Sequence, residues 1–159
     1  MGPANIIAKL KAILSHVGAW APMAEQVACS KFLLKYTEID NYFTNFKRQI
    51  SDRLNQLHNG IQHLKAEGYN VDSIEPQAAI YLTVKIDLVG KTKANGQKIE
   101  HQQDVWQYIL DVAQLAIVPF NCFGTPANST WYRISVGTCK IEFIPIIIDK
   151  LKHALALLK

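Results

Sequence analysis

Cysteine is scarce in this chain and poorly spaced for joint work. Cys29, Cys122 and Cys139 are the three present. They are odd in number and form no CxxC pair, which excludes a cysteine-rich zinc site and a disulfide-stapled scaffold. Reduced thiols in a cytoplasmic protein are the expected state. Long apolar runs are missing too: nothing approaches the roughly 20 consecutive apolar residues of a membrane span, so no membrane partner is expected. The opening MGPANIIAKLKAILSH is apolar only in patches, because Lys9 and Lys11 interrupt it, and it does not read as a secretory signal. The NST triplet at Asn128 fits a glycosylation acceptor but has no secretory context to support it. Charge of one sign does not accumulate. Seventeen Lys and Arg face thirteen Asp and Glu, a net charge of +4, and Lys47-Arg48 is the only adjacent basic pair. A nucleic-acid partner would leave a basic stripe, and none is legible. Internal repeats and low-complexity tracts are also absent.

What remains is a packed globule. With 159 residues, 49% of them hydrophobic and 19% charged, the chain can bury a core without metals or disulfides. Apolar periodicity divides it into elements. Pro3 suits a helix first turn, Ile6, Ile7, Leu10, Ile13 and Leu14 share a face, and Gly18 ends that helix. Pro22 opens a second helix through PMAEQVACSKFLLK, with Glu25 in its first turn. Thr37 is positioned to cap a third, long helix whose apolar residues step by threes and fours from Ile39 to Leu64, closed by Gly68.

The period then changes from helical to alternating. Ile80, Leu82, Val84, Ile86 and Leu88 alternate with polar or small neighbours, which predicts a strand buried on one side. GKTKANGQ reads as a polar turn or hairpin-like loop, Asp104 to Leu115 as a helix, AIVPF as a short strand, NCFGTPANS as a loop and WYRISV as a further strand. A final helix carries Ile144, Ile147, Ile148, Leu151, Leu155 and Leu158, with Pro145 marking either a late start or a bend. A small sheet with helices gathered around it is an α+β domain.

Most chemical motifs fail on inspection. GKT at Gly90 to Thr92 follows a strand, but a phosphate-binding loop needs glycine five residues earlier, where Lys85 stands. His58 and His63 are five apart on the long helix and do not share a face; they read as exposed helix residues. Ser30-Lys31 lies mid-helix with nothing to activate either side chain. Arg133 is different. It sits among Trp131, Tyr132, Ile134 and Val136, all strand formers, and its guanidinium cannot lose its charge. Such a placement needs an anion, from either this chain or a ligand.

With VGAWAPMAEQVACSKFL, AIVPFNCFG and WYRISVG in view, the chain resembles the C-terminal part of a fold-type-I, pyridoxal-phosphate-dependent aminotransferase of class I/II, the aspartate-aminotransferase-like group. The likeness runs over essentially the whole chain in the family's order. It implies residues 1–36 as a helical segment joining a large domain and residues 37–159 as the small domain, with a mostly antiparallel sheet. Glycine is frequent in the family where Ala78 or Ala79 stands. YRISVG resembles the strand whose arginine clamps the substrate α-carboxylate, so the resemblance gives Arg133 that role, with Asn121 as a second candidate and Phe120 and Phe123 beside the site. An arginine fork suits a planar carboxylate better than a lysine does.

The resemblance further implies amino-group transfer between an amino acid and a 2-oxo acid, a homodimer, and pyridoxal phosphate in the parent enzyme. The family's cofactor lysine belongs to the large domain, and no lysine here has its sequence context. Met1-Gly2-Pro3 therefore reads as an internal start, and an inactive fragment holding no tightly bound cofactor is expected. The alternative is a stand-alone binding or assembly module without catalysis, since the amphipathic opening helices would expose apolar surface.

Overall fold

The computed structural model describes residues 2–18 and 20–159. Among the described residues five α-helices, α1 (Ala4–Val17), α2 (Met23–Phe32), α3 (Tyr36–Ala66), α4 (Gln102–Tyr108) and α5 (Ile144–Ala156), accompany four strands, β1 (Val71–Ser73), β2 (Tyr81–Ile86), β3 (Val118–Pro119) and β4 (Trp131–Ser135). The strands form one sheet in the order β1-β2-β4-β3, and every neighbouring pair is antiparallel. The class is α+β, as the change of period predicted.

The chain divides into two compact units, residues 1–44 and 45–159. In the first unit, Gly18 closes α1 in the left-handed conformation and its N–H donates to the Leu14 carbonyl. Neither α1 nor α2 contains a buried residue. The second helix ends at Phe32, before the Leu33-Leu34-Lys35 stretch expected to extend it. Because α3 begins at Tyr36, Thr37 lies inside the helix and is not its cap.

The second unit holds the core. Of the stripe read from Ile39 to Leu64, Ile50, Leu54, Leu57, Ile61 and Leu64 of α3 are buried, whereas Phe43 and Phe46 are exposed. Gly68 ends the helix at positive φ, while the Tyr69 N–H reaches back to the Leu64 carbonyl. Leu82, Val84, Ile86 and Leu88 are buried and Ile80 packs at the margin of the core, matching the alternation read from sequence. From the neighbouring strand β4, Tyr132 and Ile134 join them on the same face, with Val136 just beyond the strand.

Four local readings are corrected. The strand β1 was not legible, since three residues show no period; it pairs Val71 with Ile86 and Ser73 with Val84. The helix expected from Asp104 starts at Gln102, because Asp104 accepts from the N–H groups of Glu100 and His101 as part of a capping box. That helix widens into a π-helical turn, Ile109–Ala113, which puts Ile109 and Ala113 in the core. The strand read as AIVPF is only Val118–Pro119, because Phe120–Phe123 turns into a 3-10 helix. The choice left open at Pro145 falls to the late start: α5 begins at Ile144, where proline costs no hydrogen bond. The GKTKANGQ loop is hairpin-like, closed by a Thr92–Lys98 bridge.

Candidate functional site

Pairing register decides what surrounds Arg133. Alternation in β4 sends Tyr132 and Ile134 inward, and therefore Trp131, Arg133 and Ser135 to the opposite face. Across the sheet Arg133 stands opposite Thr83 on one side and Val118 on the other. Neither neighbour carries a charge.

Two aromatic rings meet the guanidinium. Its Cζ lies 4.2 Å from the ring centroid of Tyr81 and 4.4 Å from that of Phe123. Tyr81 reaches it diagonally from β2, a contact within the range of aromatic side chains on one sheet face. Phe123 arrives from the 3-10 turn, which ends at Gly124 with φ of 91°, a conformation that favours glycine. Phe120 supports Phe123 edge to face, with centroids 6.0 Å apart.

Lys65–Asp72, Lys152–Glu67 and Arg48–Asp52 form ion pairs, His63 reaches Glu67 as one only when protonated, and among the described residues no ion pair of Arg133 is found. Cation–π contact satisfies the face of a guanidinium but leaves its in-plane N–H donors available. The half-buried Arg133 is thus a permanent cation with edge donors and no carboxylate partner among the described residues.

Asn121, the second candidate, is exposed on the 3-10 turn. It borders two clefts of about 520 and 440 Å³, shared with Gln102 and Gln103, and Arg133 lines neither. The structure brings Phe123 to Arg133 and gives Asn121 different neighbours.

His58 does not fit the reading as an exposed helix residue. It is half-buried, and its Nδ1 lies 2.8 Å from Ser73 Oγ. Gln62 donates to Asp72 Oδ1 at 2.9 Å and to the Ser73 carbonyl at 3.0 Å, while Lys65 pairs with Asp72 Oδ2 at 2.7 Å. These groups tie β1 to α3. The hydrogen bonds from Lys65 and Gln62 hold the Asp72 carboxyl down at about 2. The arrangement is not a nucleophilic relay, because Ser73 is buried and Asp72 bonds Lys65 and Gln62 rather than His58.

Among the described residues no group of three or more His, Cys, Asp or Glu could hold a metal ion, and no helix is long and apolar enough to cross a membrane.

Comparison with known proteins identifies the class to which this sheet and its helices belong. The sequence profile described as "Aminotransferase class I and II" matches residues 1–151. This chain belongs to the class I and II aminotransferase family. It is 35% identical over 81 residues to a probable aspartate/prephenate aminotransferase of Rickettsia prowazekii (strain Madrid E), across 50% of this chain and 19% of that protein. Its fold is similar to that of the aspartate aminotransferase from Rhizobium meliloti, with a TM-score of 0.63, 24% identity, and coverage of 74% of this chain and 28% of the other. The alanine aminotransferase from Pyrococcus furiosus superposes with a TM-score of 0.58 at 16% identity, covering 73% and 26% of the two chains. The chain therefore spans less than a third of the length of each of these relatives.

The family implies pyridoxal phosphate, which is held through a lysine in an enclosed site. Among the described residues no lysine is buried. Among the described residues, then, the lysines do not supply such an enclosed position.

Proposed function

We propose that this chain serves as the small domain of a pyridoxal-phosphate-dependent transaminase, with Arg133 binding the α-carboxylate of an amino acid or 2-oxo acid. Residues 37–159 form that domain, and residues 1–36 join it to a large domain bearing the cofactor lysine. The complete enzyme is a cytoplasmic homodimer, and the chain alone is inactive. The cofactor, bound to the large domain, supplies the electron sink for the chemistry at the substrate α-carbon. The contribution of this chain is to orient the acid group and help exclude water.

One observation carries the reading: Arg133 has edge donors to offer and, among the described residues, no carboxylate within ion-pair distance. The test is Arg133→Ala in the complete transaminase. We expect kcat/KM to fall by about 3–5 kcal/mol of transition-state stabilisation, the scale of losing one partner of a buried charged pair. Unchanged kcat/KM would end the assignment.

A second reading, a non-catalytic assembly module, is favoured by the lack of any buried residue in α1 and α2 and by exposed Leu10, Ile13, Val27 and Phe32. The genomic sequence immediately upstream discriminates between the two. An in-frame lysine-bearing segment supports the transaminase; a stop codon followed by a ribosome site supports the module.

A further inference from the structure

Arginine is long and flexible, and a carboxylate clamp binds more tightly when the plane of its guanidinium is fixed before the ligand arrives. Here the two nearest rings come from different elements, Tyr81 from β2 and Phe123 from the turn after β3. Their centroids lie 4.2 and 4.4 Å from Cζ, and the two rings make no contact with one another among the described residues. They reach the guanidinium from two separate segments of the chain. The N–H donors lie in the guanidinium plane, so rings against its faces leave the edge as the approach for an anion.

We propose that Tyr81 and Phe123 are positioning residues for Arg133. They hold its guanidinium plane so that a planar carboxylate meets two parallel N–H donors along one edge. The role is carried by the rings and not by the Tyr81 hydroxyl, for which no hydrogen bond is found among the described residues. The inference rests on the carboxylate reading of Arg133 given above and adds what makes that residue selective. Phe123 sits at the end of a four-residue turn, so the order of that turn is coupled to the order of the clamp.

The test uses the whole chain labelled with ¹⁵N-arginine. The Arg133 Nε–H resonance is assigned by its loss in Arg133→Lys, then followed while pyruvate is added at constant ionic strength, with chloride as the control anion. We expect pyruvate to move the resonance where chloride does not. Tyr81→Ala and Phe123→Ala should each weaken the apparent affinity roughly three-fold, the scale of one exposed cation–π contact. Tyr81→Phe should stay within a factor of about two of the unaltered chain. Backbone spectra check that each variant is folded, and half-exposed Phe123 provides an arm with little burial at stake. If the unaltered chain shows no response specific to pyruvate, the carboxylate reading fails. If it responds and both alanine variants respond with the same affinity, the positioning role is overturned while the carboxylate reading stands. A loss in Tyr81→Phe equal to that in Tyr81→Ala would also overturn it, by assigning the effect to the hydroxyl.

Discussion

Gly60 of α3 and Ile148 of α5 meet so closely that a Cβ built on Gly60 would lie 2.5 Å from Ile148 Cγ1 and 2.6 Å from its Cδ1. A glycine in mid-helix ordinarily costs about 1 kcal/mol relative to alanine. Here the missing side chain is what lets the two helices approach. Gly60→Ala should therefore destabilise the chain by about 1–3 kcal/mol despite the gain in helix propensity, because the clash falls on a packed, branched side chain. Urea denaturation measures this; an unchanged or raised midpoint would show that α5 moves aside freely.

Ala79 has φ of 64°, in the left-handed region where a Cβ is unfavourable. Of the neighbouring pair Ala78 and Ala79, it is Ala79 that takes the positive φ. Ala79→Gly should stabilise the chain by about 0.5 kcal/mol, the relief of strain being partly offset by greater freedom in the unfolded chain. A fall in Tm would contradict this.

Asp72 titrates at about 2 against an ordinary 3.8, because Lys65 and Gln62 bond its carboxylate. A carboxyl depressed in the folded state contributes stability that is fully present above its unfolded value and is lost as pH falls through the folded value. Stability should therefore drop between about pH 4 and pH 2, by about 1 kcal/mol once solvent screening of this partly exposed pair is allowed for. Asp72→Asn should lack that drop, and denaturation midpoints at several acid pH values will report it.

Tyr132 is fully buried and its hydroxyl donates to Oε1 of buried Gln102. Burial, with the nearby Asp87 charge, raises the phenol pKa, so the hydroxyl stays protonated and able to donate. Tyr132→Phe should cost about 1–3 kcal/mol by leaving the Gln102 oxygen buried without that donor. Adding Gln102→Leu should recover part of the loss, and a strictly additive double variant would argue that the pair is not coupled.

Arg133→Lys keeps the charge but not the planar fork. In the proposed transaminase it should raise KM for the amino acid and lower kcat/KM by at least about ten-fold, since a point charge cannot reproduce the bidentate contact. Wild-type kinetics in that variant would mean that charge alone suffices.

Local spacing made much of the fold readable. The stripe from Ile39 to Leu64 and the alternation from Leu82 to Leu88 are each legible from local spacing; the alternation is buried as read, and the stripe is buried from Ile50 onward but not at Phe43 and Phe46. Arg133 could be singled out for the same reason, as an unavoidable cation among strand formers. His58 reads as exposed from its helix alone because its partner, Ser73, lies in a strand too short to show a period.

The residues by themselves determined which side of each helix and strand is apolar, because that depends only on side-chain type and backbone repeat. They could not determine which strands would lie side by side, since register is set by packing between segments distant in sequence. Only the folded sheet and its flanking turn brought Tyr81 and Phe123 onto Arg133, and only the approach of α5 to α3 gave Gly60 its purpose. A guanidinium's permanent charge is a local property; the rings that flank it are supplied by the tertiary structure.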